Sequence, residues 1–209
     1  ASDWSSDVCS SDLHGTTGIA DDCSPSANGE NAELGLVASK ASETALIAAT
    51  DYEGLGTPGR HPYLVGVSEG RSTIDAALAA GQLPDADPGT QLGIVGYSQG
   101  GHGALWANQV AAAWAPDLEV VGTFSGAPAS EIGVILAAAP RVKGFGLMVV
   151  AGIQAGHPRP QPVATQAEQR QADTHAMLAV RIFVAGHNAD LQAGDFRQQA
   201  VARRAGYRR

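Results

Sequence analysis

The apolar run QLGIVGY (91–97) leads directly into SQGGHGALWANQVAAAWAP, and the join reads Gly96-Tyr97-Ser98-Gln99-Gly100. No other stretch constrains the chain as tightly. A short apolar run bounded by turn residues reads as a buried strand, and the Ala-rich segment after it reads as a helix stopped by Pro116. A G-x-S-x-G sequence between strand and helix puts the serine on a tight, strained turn, with its hydroxyl above the strand edge. Glycine on either side leaves room for the two backbones to approach. The helix N-terminus aims its free N–H groups and positive dipole end at whatever reacts with the serine. Ser98 is therefore a candidate nucleophile, and the Gln99 N–H a candidate oxyanion donor.

The flanking segments supply the rest of an α/β pattern. ALIAAT (45–50) reads as a short buried strand running into the loop DYEGLG, and HGTTG (14–18) as a Gly-rich turn. TPGRHPYLVGV (57–67) has the Pro and Gly punctuation of an irregular segment. The spacing of Arg71, Ile74, Ala77 and Leu78 predicts a helix over 68–81, with Ser68 as N-cap and Gly81 as C-cap. LEVVGTFSG (118–126) reads as another strand, and residues 129–156 as helical, interrupted by Pro140, Gly144 and Gly146. Strands alternating with helices imply parallel βαβ units.

With 209 residues, 44% of them apolar, the chain can bury the core of one domain. No stretch reaches the roughly 18 continuous apolar residues of a membrane span, and no basic segment followed by an apolar run suggests a signal peptide. The net charge of −8 argues against nucleic-acid binding. That charge is uneven: residues 14–156 hold 14 acidic and 5 basic residues, whereas 157–209 hold 4 acidic residues and 8 Arg, with no Lys. Beyond Gly156 periodicity fails, and only RIFVAG (181–186) is strand-like. Residues 157–209 read as a disordered tail or as a segment translated out of frame. No His/Cys/Glu cluster has metal-ligand spacing, so no metal or organic cofactor is implied.

Several linked stretches resemble the secretory lipase family of α/β-hydrolases: HGTTG (14–18), TDYEGLG (50–56), HPYLVG (61–66), GYSQGGHGALWANQ (96–109) and APDLEVVGTFSGAPAS (115–130). The resemblance covers about residues 14–158 and breaks at Arg159. It implies an incomplete α/β-hydrolase fold with the start of a helical cap. It also implies a secreted serine lipase or carboxylesterase that hydrolyses acyl esters of triacylglycerol type through an acyl-enzyme. Ser98 matches the nucleophile, Gln99 the residue whose N–H forms half of the oxyanion hole, and Asp51 the residue that supplies the other half. His14 to Thr17 are an alternative to Asp51. The implied partner is a lipid or small acyl ester met at a lipid interface. A related peptidase or thioesterase remains open on the serine turn alone.

A serine nucleophile needs a His base and an acid that orients it, both after the serine in this fold. Asp190, His187 and His175 are the candidates in this chain, but the last histidine precedes Asp190, which reverses the expected order. The chain as written could therefore be a catalytically inert polypeptide. His102, one helical turn beyond Ser98, reads as a supporting or helix-surface residue. Tyr52, Trp106 and Trp114 read as core or pocket wall, and His61 as a loop residue. The segment DWSSDVCSSDL (3–13) resembles the translation of a sequencing adapter, so residues 1–13 are expected to be disordered and Cys9 to form no disulfide. Cys23 is expected to pair with a cysteine outside this chain.

Overall fold

The computed structural model describes residues 8–28, 45–83, 86, 88–137 and 143–157. Its centre is a four-stranded parallel sheet made of β1 (Val8–Leu13), β2 (Ala45–Ala49), β3 (Gln91–Tyr97) and β4 (Glu119–Gly126), in the order β2-β1-β3-β4. The helices are α1 (Pro25–Asn28), α2 (Gly66–Ala80), α3 (Gln99–Trp114), α4 (Ile132–Ala137) and α5 (Lys143–Gly156).

Where the sequence has clear periodicity the elements fall as expected. β3 coincides with the QLGIVGY run, and α3 ends two residues before Pro116. Two details differ. Val65, and not Ser68, is the N-cap of α2; Ser68 lies inside the first turn and donates its hydroxyl to a Glu53 carboxylate oxygen at 2.5 Å. Gly144 and Gly146 do not interrupt α5, because Gly costs only about 1 kcal/mol relative to Ala inside a helix and tertiary packing overrides it.

A larger correction concerns β1. The expectation of disorder over residues 1–13 fails for Val8–Leu13, which lie centrally in the sheet. Val8 to Asp12 pair with Ala45 to Ala49 on one side, and Val8 to Leu13 with Gln91 to Gly96 on the other. Parallel ladders are made by main-chain groups, which every one of these residues supplies whatever its side chain. Two flanking strands therefore hold in place a sequence with little strand propensity of its own. The Leu13 side chain is fully buried.

Helix α2 packs on β1, β2 and α3, while α3 lies on β1, β3 and β4. The main core joins Leu13, Leu92 and Ile94 of the sheet to Ile74 and Ala77 of α2 and Ala104, Ala107 and Ala111 of α3. Small residues let the two helices approach closely. A Cβ on Gly70 would lie 2.8 Å from the Ala107 nitrogen, and one on Gly66 would lie 2.0 Å from the Trp106 ring. A separate cluster of Tyr63, Leu64 and Val149 seats α5 over the 61–65 segment.

Candidate active site at the strand–serine–helix turn

Ser98 sits between the end of β3 and the start of α3 with φ 55° and ψ −113°. Positive φ is uncommon for a side-chain-bearing residue and costs of order 1–3 kcal/mol, so the surroundings must hold it. They do so through the main chain. The Ser98 N–H donates to the Gly126 carbonyl at 2.9 Å, and the Ser98 carbonyl accepts from the His102 N–H at 3.1 Å. Both flanking glycines are sterically required. A Cβ on Gly96 would lie 2.2 Å from the Gly100 oxygen, and one on Gly100 would lie 2.0 Å from the Leu13 oxygen. The Ser98 hydroxyl does not cap α3, and the residue is half-buried.

Tyr52 (φ 67°) and Ala127 (φ 43°) are also in the left-handed region. Together with Ser98 they follow the C-terminal ends of β2, β4 and β3, the rim at which open α/β sheets bind ligands. The loop after β1 reaches the same rim. Its His14 carbonyl accepts from the Tyr52 hydroxyl at 3.1 Å, and the Thr16 and Tyr63 hydroxyls are 2.8 Å apart. Burial raises the Tyr63 phenol above its usual pKa, which keeps it a neutral partner for Thr16.

Asp51 is buried two residues beyond β2, where both carboxylate oxygens accept from Ser26. The Ser26 N–H reaches Oδ1 at 2.9 Å, and the Ser26 hydroxyl reaches Oδ2. In the sheet β1 intervenes between β2 and β3, so the Asp51 rim position is two strand spacings from that of Ser98, about 10 Å. The His14–Thr17 loop is one spacing away.

Behind the turn lies a buried polar relay. Gln99, the first residue of α3, places its Nε2 2.9 Å from His61 Nε2 and 2.9 Å from Glu69 Oε1. Glu69, on α2, also accepts from the Leu64 N–H at 3.1 Å on Oε1 and from His102 Nδ1 at 2.6 Å on Oε2. Trp106 Nε1 donates to His102 Nε2 at 3.1 Å, and His61 Nδ1 donates to the Glu53 carbonyl at 2.8 Å. One set of protons satisfies this chain, with both histidines neutral and carrying hydrogen on Nδ1. Burial lowers the His61 pKa below its usual value, against the opposing pull of the Glu53 carbonyl and the Glu69 charge. The Gln99 Oε1 is buried without a hydrogen-bond partner among the described residues. Turning the amide over would face that oxygen to Glu69, so the observed orientation is the less costly one.

His61 and His102 thus have both ring nitrogens engaged away from Ser98. His102 is buried and is not a helix-surface residue, because the α2–α3 contact covers it. His61 is a loop residue, as expected, but a buried one. Glu69 was not legible as a site residue. The available signal was its position on a helix face shared with Gly66, Gly70, Thr73 and Ala77, where small residues mark a packed surface. Trp106 belongs to the relay, whereas Trp114 is partly exposed, under the Arg71 guanidinium at 4.1 Å and bonded to Asp75. Cys23 has no disulfide partner among the described residues. His175, His187 and Asp190 lie outside the described residues, as does the rest of the 158–209 segment. Among the described residues no group of three or more His, Cys, Asp or Glu could hold a metal, and no helix is long and apolar enough to cross a membrane.

Comparison with known proteins agrees with this architecture. The chain is 29% identical over 115 residues to Lipase A of Moesziomyces aphidis, an alignment covering 54% of this chain and 24% of that protein. It is 31% identical over 130 residues to a Mycobacterium tuberculosis (strain CDC 1551 / Oshkosh) protein named "Probable inactive lipase MT1628", covering 60% of this chain and 28% of that one. The chain therefore spans about a quarter of the length of these curated relatives. A crystal structure of a Legionella pneumophila protein described as a "putative hydrolase" superposes with a TM-score of 0.56 at 23% identity, over 82% of this chain and 54% of that one, a likeness of fold alone. The fold is a partial α/β-hydrolase fold, a parallel sheet with flanking helices. The model of the secretory lipase family matches residues 26–201, a span that continues past Arg159, where the resemblance described above was expected to break. With most of its length matched in this way, the chain belongs to the secretory lipase family.

Proposed function

We propose that this chain carries the nucleophile half of a serine-dependent lipase or carboxylesterase, secreted in its native context, that hydrolyses acyl esters through an acyl-enzyme. The observation that carries this reading is the strained Ser98 (φ 55°) at the join of β3 and α3, between two glycines that no larger residue could replace. In the proposed reaction Ser98 Oγ attacks the ester carbonyl carbon while a general base takes its proton. The tetrahedral oxyanion accepts from the Gln99 N–H, and collapse expels the alcohol, which leaves with a proton. Water then repeats the attack and releases the acid. His61 and His102 have both ring nitrogens engaged elsewhere, so neither of them serves as that base.

For the second oxyanion donor, the strand order favours the His14–Thr17 loop over Asp51. That loop is adjacent to the Ser98 turn and is tethered by two tyrosines, while the Asp51 carboxylate is occupied by Ser26. An Asp51→Ala variant, which removes any side-chain donor at that position, should then keep kcat/KM for a short p-nitrophenyl ester within about tenfold. A loss of about a hundredfold or more, the usual cost of removing an oxyanion donor, restores Asp51 to that role.

The primary test is a fluorophosphonate probe together with the same ester. Labelling and hydrolysis that disappear in Ser98→Ala support the reading, and labelling that persists in that variant refutes it. A second reading, a chain that binds esters without turnover, draws support from the word "inactive" in the name of the Mycobacterium relative. Phosphonate labelling of Ser98 with no ester hydrolysis would favour it.

A further inference from the structure

We propose that Glu69 is a positioning residue for the serine turn: its buried carboxylate grips the Gln99 side chain and so fixes the first turn of α3, from which the Gln99 N–H meets the oxyanion. The proposal rests on Ser98 being the nucleophile, and it adds a residue that no family motif quoted above contains.

The argument begins with cost. A carboxylate on a helix surface needs no partners, but Glu69 is 1% exposed, and no Lys or Arg pairs with it among the described residues. Burying such a group is unfavourable, and apolar replacements of buried charges are often neutral or stabilising. Stability is therefore a poor account of its presence, and geometry is a better one. Three donors converge on its two oxygens: the Leu64 N–H and Gln99 Nε2 on Oε1, and His102 Nδ1 on Oε2. Two of the three belong to the first turn of α3, directly after the strained Ser98. The third belongs to Leu64, itself at φ 56°, in the segment that carries His61 and Tyr63. Glu69 thus ties together the helix that presents the oxyanion donor and the segment that braces the His14–Thr17 loop. A Cβ placed on Gly103 would meet the Glu69 Cβ at 3.4 Å, so α3 runs close beside this side chain.

The relay makes a specific forecast for Glu69→Gln. The new amide oxygen must stay on the Oε1 side, facing the Leu64 and Gln99 donors, so its NH2 faces His102 Nδ1. His102 must then shift its proton to Nε2, where it meets the Trp106 indole N–H donor to donor. Replacing Trp106 with Phe removes that second conflict.

The experiment uses the full 209-residue chain as wild type, Glu69→Gln, Glu69→Gln/Trp106→Phe and the core control Ile74→Val. Two readouts are taken: the NMR resonances of the Gln99 side-chain amide and the Trp106 indole N–H, and the second-order rate of Ser98 labelling by an alkyl fluorophosphonate. The expected result is displaced Gln99 and Trp106 resonances in Glu69→Gln and labelling slowed about tenfold, less than the loss of a whole oxyanion donor. The double variant should regain most of that rate, and Ile74→Val should stay within about twofold of wild type. Glu69→Gln labelling at the Ile74→Val rate, or unmoved Gln99 resonances, overturns the proposal. A wild-type chain that fails to label sinks the Ser98 reading, and the proposed role of Glu69 in the reaction with it. Displaced resonances in that case would leave only a structural tie between α2 and α3.

Discussion

The two flanks of Ser98 are built in opposite ways. Toward α2, polar side chains are buried and linked: Glu69, Gln99, His61 and His102 lie in one hydrogen-bonded chain beside the Ile74–Leu92–Ile94 core. Toward β4 and α5, apolar side chains are exposed: Phe124 is 66% accessible and Leu147 71%, with Tyr97, Val121 and Val150 also open. The first flank holds its shape through directional contacts in a low-dielectric interior, where each group depends on its neighbours. The second carries surface that is not part of this core. The hydropathy of a side chain therefore does not by itself fix its sensitivity to substitution.

That contrast can be broken most sharply at Gly100. Gly100→Ala places a methyl 2.0 Å from the Leu13 oxygen, and because backbone cannot move aside, a loss of about 3 kcal/mol or more is expected in urea unfolding. A loss below 1 kcal/mol would mean that β1 is not held against α3 as described. Gly103→Ala, with its nearest neighbour at 3.4 Å, should cost far less in the same assay.

An intermediate effect is expected from pH. Burial disfavours the charged form of His61 and holds its folded pKa below the usual value of 6.5. Above about 6.5 it is neutral in both states and contributes no slope. As pH falls through that value toward the folded pKa, the unfolded chain takes up the proton first, and stability declines by up to about 1.4 kcal/mol per pH unit. His61→Gln should flatten the stability profile between pH 7 and pH 5; an unchanged slope would place the sensitivity elsewhere.

The smallest effect is predicted on the other flank. Phe124→Ser should change unfolding free energy by no more than about 0.5 kcal/mol, since the ring already meets solvent. A large destabilisation would show that β4 is packed, and the comparison between the flanks would fail.

The turn that carries Ser98 is legible in the sequence alone. The Gly96–Gly100 spacing gave the turn, and the boundaries of β3, α3 and β4 followed from apolar runs and Pro116. Glu69 was invisible because a charge on a helix reads as a solvent face, and only the close approach of α2 and α3 buries it. Asp51 was matched to the oxyanion role by the family resemblance, to which its place at a strand end lent support. The strand order, which no local pattern encodes, puts β1 between it and Ser98.

Local sequence therefore determined which residues turn, coil and extend, since those choices depend on side-chain period and on glycine, within a few positions of each other. Tertiary structure decided the rest. It made a strand of Val8–Leu13 by supplying main-chain partners on both sides, and it turned Glu69 from a surface charge into the junction of a buried relay. Both outcomes depend on contacts between segments far apart in the chain, where burial and hydrogen-bond satisfaction outweigh intrinsic preference.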